Sequence, residues 1–163
     1  MALEAPVPLT DKHNIRAFDC GENSLNEWLI KRALANQYSG ASRTFVVCNA
    51  GRVVAFYALS SGALFCAHST GKVKRNMPDP IPVVILGRLG VDQAIKGKGI
   101  GSALVRDAIL KIVVAAESLG IRAMVIHALN NRVKSFYESL GFTPSPTDPM
   151  ILMATLNDLK DSL

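Results

Sequence analysis

An apolar run, Val83 to Val91, leads through Asp92-Gln93-Ala94-Ile95 into a glycine-rich loop, and the loop opens a long amphipathic stretch. Few folds accommodate that order. The run has the length of a buried strand. From Ser102 to about Leu119, Ala103, Leu104, Ala108, Ile109, Ile112, Val113, Ala116 and Leu119 fall on one face at helical spacing, with Arg106, Asp107, Lys111 and Glu117 opposite. Between strand and helix, Gly97, Gly99 and Gly101 let the backbone turn tightly and come close to a ligand. The unpaired amides and positive dipole end of the helix favour an anion there, and Lys96 and Lys98 add charge of the right sign. Glycine can also serve such a turn for geometry alone, so the loop by itself predicts a strand–loop–helix unit and becomes a phosphate cradle only where other residues agree.

Two phosphate-binding patterns fail on particular residues. A Walker-type loop needs Gly-Lys followed by Ser or Thr, whereas Lys98 is followed by Gly99. A dinucleotide fold places its loop in the first strand–helix unit, with an acidic residue about 20 residues on. Here the loop lies past mid-chain, and the next strand, Arg122 to Ala128, closes in His127-Ala128-Leu129 with no carboxylate. The remaining pattern, Lys96-x-x-Gly99-x-Gly101 after a strand, resembles the pyrophosphate loop of the GCN5-related N-acetyltransferases, the GNAT family. Members usually carry Gln or Arg where this chain has Lys96, a change that keeps the charge and loses the planar fork.

The segment Asn130 to Phe142, NNRVKSFYESLGF, tests that resemblance independently. It reads as a short helix with Asn130 or Asn131 as cap and Gly141 as stop. The family carries a similar Asn, Phe-Tyr and Gly-Phe spacing. A phenol can donate a proton to a leaving thiolate, so the resemblance implies that Tyr137 is the general acid. It also implies that Leu89 and Val91 pair with the pantetheine arm of acetyl-CoA and that the amides of Gly97, Lys98, Ile100 and Ser102 join Gly99 and Gly101 on the pyrophosphate. Lys96, Asn130 and Phe136 complete that set. No carboxylate or histidine is placed to deprotonate the incoming amine, so water, or an amine of low pKa, would serve.

The remaining composition fits one enzyme domain spanning residues 1–163. Hydrophobic residues make up 49% of the chain, enough to fill a single core. Repeats, linkers and apolar runs of membrane-spanning length are absent, and the N-terminus lacks the order of a secretion signal, so a cytoplasmic protein is expected. Cys20, Cys48 and Cys66 are widely spaced and read as reduced structural thiols; with His13, His68 and His127 they show no ligand spacing, and no metal is expected.

Coarse order along the chain predicts an α/β fold. Ser24 to Glu27 has the form of a capping box, followed by Leu25, Trp28, Leu29, Ala33 and Asn36 at helical spacing. Arg43 to Cys48 and Arg52 to Ser60, split by Asn49-Ala50-Gly51, predict a hairpin, and Ala63 to His68 a continuing strand. The Pro-rich loop Met77 to Pro82 precedes the strand from Val83, and a last strand lies near Met150 to Leu156. This order matches the GNAT fold: a mixed central sheet with a splayed parallel strand pair, flanked by helices.

Charge bears on the acceptor. Lys and Arg total 18 against 13 Asp and Glu, a net charge of +5. An anionic cofactor alone could account for that balance. Yet Lys31 and Arg32, Arg43, Lys72, Lys74 and Arg75, Arg88, and Arg132 with Lys134 form clusters suited to RNA phosphates. Ala41 to Cys48, Arg75 to Pro82 and Leu86 to Asp92 resemble, more narrowly, the TacT-like toxins of bacterial toxin–antitoxin modules. That resemblance implies acetylation of the α-amine of the amino acid on charged tRNA, whose lowered pKa would explain the missing base. It also implies a homodimer and a ribbon-helix-helix antitoxin. A small-molecule or protein N-acetyltransferase of the same fold is the alternative, and a non-catalytic CoA-sensing domain a third reading.

Overall fold

In a computed structural model, which describes residues 3–163, the hairpin forms where the sequence places it. β2 (Arg43–Asn49) and β3 (Arg52–Leu64) join through Ala50 (φ 52°) and Gly51 (φ 81°). Two consecutive left-handed residues give a turn whose twist matches the strands. A short edge strand, β1 (Val7–Pro8), pairs with Val46 and Phe45 of β2 and was not anticipated. The separate strand expected over Ala63 to His68 does not form. β3 continues through Leu64, and Cys66–His68 closes into a 3-10 turn.

The chain divides into two compact units. The first runs to Ser60 and takes in Gly87–Ala108. Its helix α1 (Asn23–Lys31) starts at Glu22, so the predicted capping box is not used. The amides of Leu25 and Asn26 donate to the Glu22 carbonyl instead, and the Asn26 side chain engages Asp19 and Cys20. The helix breaks at Arg32 (φ −123°) and resumes as α2 (Ala33–Ser39), ended by left-handed Gly40. Leu29 and Ala33 are buried with Leu9, Phe18, Val46, Val53 and Phe56. Full burial of a side chain like Leu29 contributes about 1.5–3 kcal/mol.

The second unit comprises Ser61–Leu86 and Ile109–Leu163. Here α3 (Gly71–Lys74) is capped by Thr70, and the Arg122 guanidinium donates to the carbonyls of Val73 and Lys72 at the other end. β4 (Ile81–Val91) pairs in parallel with β5 (Ala123–His127) over Val83 to Leu86, and then runs on through Gly87 to Val91. β5 pairs antiparallel with β7 (Ile151–Thr155), which also carries β6 (Thr143–Pro144). The strand order is β1-β2-β3-β4-β5-β7-β6, a mixed sheet as expected. The core of this unit gathers Val73, Ile81, Val83, Ala123, Val125 and Met153. A terminal helix, α6 (Leu156–Asp161), capped by Thr155, replaces the end of the predicted last strand.

The helix predicted over Ser102 to Leu119 is α4 (Ile100–Ala115). It begins two residues earlier and stops at a turn where the amides of Glu117 to Leu119 reach only Val114 and Ala115. Leu119 is therefore out of helical phase and exposed, and Ala103 faces solvent too, while Leu104, Ala108, Ile109 and Ile112 are buried as expected. α5 (Asn131–Ser139) forms as predicted, with Asn130 as its cap.

Candidate functional site

Each arm of the loop between β4 and α4 is fixed by a local device. Asp92 caps a single 3-10 turn, Gln93–Ile95: its Oδ1 accepts the Ala94 N–H (2.9 Å). Gly97 (φ 80°) and Gly99 (φ 75°) then turn the chain left-handed, and α4 begins at Ile100. A Cβ on either glycine would meet nothing within 4 Å, so backbone geometry, not crowding, calls for glycine, and this stretch of loop lies open. The Ala103 amide bonds the Gly99 carbonyl (3.1 Å). Gly99 is thus the cap, and the amides of Ile100, Gly101 and Ser102 are the donors without a helical partner. Amides at the positive end of a 16-residue helix, reached through an open glycine loop, fit a pyrophosphate.

Asp92, 4% exposed, is also an anchor. Its Oδ2 accepts the Asp19 N–H (3.1 Å) and lies 3.5 Å from Arg52 Nη2. Gly90 is closely packed: a Cβ there would come within 3.1 Å of the Phe56 ring and 3.3 Å of the Phe18 ring, so a larger residue would require those rings to give by a few tenths of an ångström. By strand alternation Leu89 and Val91 project from the opposite face, both half-buried.

The basic residues of the loop differ in their surroundings. Lys98 is exposed and has no ion pair among the described residues, whereas the Lys96 ammonium donates to the Cys20 carbonyl.

In the second unit, the Asn130 side chain accepts the Val133 N–H (2.9 Å), and left-handed Gly141 follows the helix. Tyr137, 4% exposed, lies with its ring 5.1 Å from that of Phe136 and 6.1 Å from that of Phe142. Burial pushes its phenol well above the ordinary range, so it stays protonated at neutral pH. Its hydroxyl finds no partner among the described residues, which leaves it available to a ligand atom. Tyr57, which the sequence reading missed, is a different case. It is fully buried, and its phenol is raised first by burial and then by its hydrogen bond to Asp107 Oδ2. Nothing in the local pattern of either residue announces that pair.

The predicted RNA-binding residues divide between the units. In the first, Lys31 lies 4.0 Å from Glu27, Arg43 donates to the Gln37 carbonyl at the end of α2, and Arg88 stacks over Trp28 at 5.3 Å; Arg32 is exposed. In the second, exposed Lys72 forms an ion pair with Asp158 (2.7 Å), whereas Lys74 and Arg75, the latter just past α3, are exposed and have no ion pair among the described residues; Arg132 is exposed and Lys134 half-buried. Among the described residues, no group of three or more His, Cys, Asp or Glu is placed to hold a metal, and no helix is long and apolar enough to cross a membrane. All three cysteines are free thiols, with Cys20 and Cys48 buried.

Comparison with known proteins agrees with these features. Residues 40–144 match the acetyltransferase (GNAT) domain. The chain is 49% identical to a tRNA-acetylating toxin of Mycobacterium tuberculosis over 96% of its own length and 94% of the relative's. Among solved structures, AtaT complexed with acetyl-methionyl-tRNAfMet aligns with a TM-score of 0.89 at 29% identity, covering 98% of both chains. A tyrosine-to-phenylalanine variant of AtaT, bound to acetyl-CoA and the C-terminus of the antitoxin AtaR, aligns with a TM-score of 0.83 at 27% identity, covering 97% of this chain and 96% of that one.

Proposed function

The chain belongs to the GNAT acetyltransferases, and on that premise we propose that it acetylates the α-amine of the amino acid on charged tRNA, blocking translation as a toxin. The observation that carries this reading is the 49% identity with a tRNA-acetylating toxin over 96% of the chain. Acetyl-CoA, when bound, supplies an activated acetyl group as a thioester. The amides of Ile100, Gly101 and Ser102, with Gly97, Gly99 and Lys98, hold its pyrophosphate, and Leu89 and Val91 offer strand backbone to the pantetheine arm. Asn130 and Phe136 complete the residues that bind acetyl-CoA. Holding the thioester against the amine removes much of the entropic barrier.

Tyr137 holds a proton at Oη. The amine nitrogen bonds to the acetyl carbon, the carbon–sulfur bond breaks, and Tyr137 protonates the departing thiolate, a contribution of about 10²–10⁴ in rate. The amine's own proton leaves to water, since an aminoacyl ester amine needs no strong base. Tyr137 recovers its proton from solvent. Lys31, Arg32, Arg43, Lys72, Lys74, Arg75, Arg88, Arg132 and Lys134 carry the RNA phosphates, and of the cluster around α3 Lys74 and Arg75 contribute more than Lys72, which Asp158 engages. The same reading takes residues 1–163 as one catalytic domain, cytoplasmic and homodimeric, neutralised by a ribbon-helix-helix antitoxin.

The test is incubation with labelled acetyl-CoA and total charged tRNA, then nuclease digestion and identification of the labelled product. Acetyl-aminoacyl-adenosine is expected. Label appearing in protein or small amines, with none on tRNA, refutes the acceptor while leaving the family standing.

A further inference from the structure

The segment Phe18–Gly21 is strapped to the entrance of the glycine loop from several sides. The Asp19 N–H donates to Asp92 Oδ2 (3.1 Å), and the Asp19 carbonyl accepts the Gln93 N–H (2.9 Å). From α1, Asn26 accepts the Cys20 N–H (2.9 Å) and donates to Asp19 Oδ1 (3.0 Å). The Cys20 carbonyl then accepts from the Lys96 ammonium. Gly21 turns left-handed (φ 89°), and a Cβ there would lie 3.3 Å from Gln93 Nε2 and 3.6 Å from Lys96 Nζ. Phe18 and Cys20 sit behind this turn against Gly90 of β4.

Lys96 immediately precedes Gly97, the first left-handed residue of the loop. A glycine loop in open space has little of its own to hold its amides in one orientation, and tying down the far end of the Lys96 side chain restrains the backbone that enters it. An ammonium already bonded to a carbonyl would have to give up that bond to reach an anion. We propose that Lys96 is a positioning residue of the donor site: its ammonium holds the Phe18–Gly21 strap against the loop and sets acetyl-CoA affinity through the Cys20 carbonyl, without touching phosphate. This rests on the reading of the loop as the acetyl-CoA site. Asn26 holds the same strap from its other side and belongs to the same device.

Calorimetric titration of acetyl-CoA into the full chain, at two salt concentrations, tests it with wild type, Lys96→Met, Lys96→Arg, Asn26→Ala and the Lys96→Met/Asn26→Ala double variant. Lys96→Met and Asn26→Ala should each weaken binding about tenfold, the loss of one charge-assisted bond's worth of preorganisation. The double variant should resemble the weaker single one, because both act on one element. Asn26→Ala should keep the wild-type salt dependence, since it removes no charge, and it is the reference for Lys96→Met, which removes a charge within a Debye length of the loop. Lys96→Arg, able to reach the same carbonyl, should restore most of the affinity, and in turnover KM should rise by more than kcat falls.

A Lys96→Met variant that loses part of the salt dependence, beside an Asn26→Ala variant that binds like wild type, would make Lys96 a direct phosphate ligand and overturn the proposal. Wild-type affinity in folded Lys96→Met would overturn it as well. Should Lys96→Met fail to fold, wild-type affinity in Asn26→Ala suffices to refute it. Wild-type protein that binds no acetyl-CoA would sink the donor-site reading instead, before any variant is compared.

Discussion

Replacing Tyr137 by Phe removes one oxygen from a ring that is 4% exposed and packed between Phe136 and Phe142, so every ring contact survives. The lost hydroxyl has no hydrogen-bond partner among the described residues and is not fully cut off from solvent, so its removal forfeits no bond within the protein and relieves only part of a desolvation cost. Stability should therefore hold or rise slightly, by up to about 1 kcal/mol, or roughly 2–4 °C in Tm for a chain of this size. Turnover should fall by about 10²–10⁴, equivalent to about 2.7–5.5 kcal/mol of barrier, because the thiolate loses its proton donor. Single-turnover acetylation of charged tRNA, acetyl-CoA titration and thermal unfolding separate these effects. Near wild-type turnover in the Phe variant would make Tyr137 structural and the mechanism wrong. Lost turnover together with lost acetyl-CoA binding would also refute it, since the argument removes a proton and leaves the site's shape intact. Because burial raises the phenol, the wild-type kcat profile should show no alkaline limb at the ordinary tyrosine pKa of about 10.

Gly99→Ala imposes a left-handed backbone on a residue with a Cβ, costing about 1–2 kcal/mol in stability without a clash, and should raise KM for acetyl-CoA more than it lowers kcat. Unaltered affinity in the folded variant would remove the pyrophosphate from this loop. Neutralising Lys74 and Arg75 together should lower the salt slope of tRNA binding by about 0.7–0.9 per contact, with acetyl-CoA affinity unchanged; Lys72→Gln should do less, because Asp158 already engages Lys72. Equal slopes in all three proteins would clear α3 of any RNA contact. Stability should fall as pH rises past about 10, because Tyr57 and Tyr137 keep their protons in the folded chain after the unfolded chain has lost its own. The slope is up to about 1.4 kcal/mol per pH unit for each tyrosine, and Tyr137→Phe should remove one share of it. Denaturant melts at pH 9, 10 and 11 measure this, and a flat result would contradict the burial of both phenols.

The features the sequence determined by itself are those whose cause lies within a few residues. Gly97 and Gly99 turn left-handed between strand and helix, Asn130 caps α5 through the Val133 amide, Gly141 follows that helix, and Ala50-Gly51 closes the hairpin. Each is a backbone preference or a bond between near neighbours, so residue type and spacing suffice. Tertiary structure decided the rest, against local signals in places. Ser24 and Glu27 have the spacing of a capping box, yet the helix is capped at Glu22, with Asn26 held by Cys20 and Asp19. Lys96 and Lys72 look alike as basic residues near a site, but one bonds the Cys20 carbonyl and the other Asp158, partners 76 and 86 residues away. Asp92 with Asp19, and Tyr57 with Asp107, are likewise joined across 73 and 50 residues. A side chain's charge is written in its residue type, but the group that charge meets depends on which distant segments the core brings together, and no local pattern encodes that.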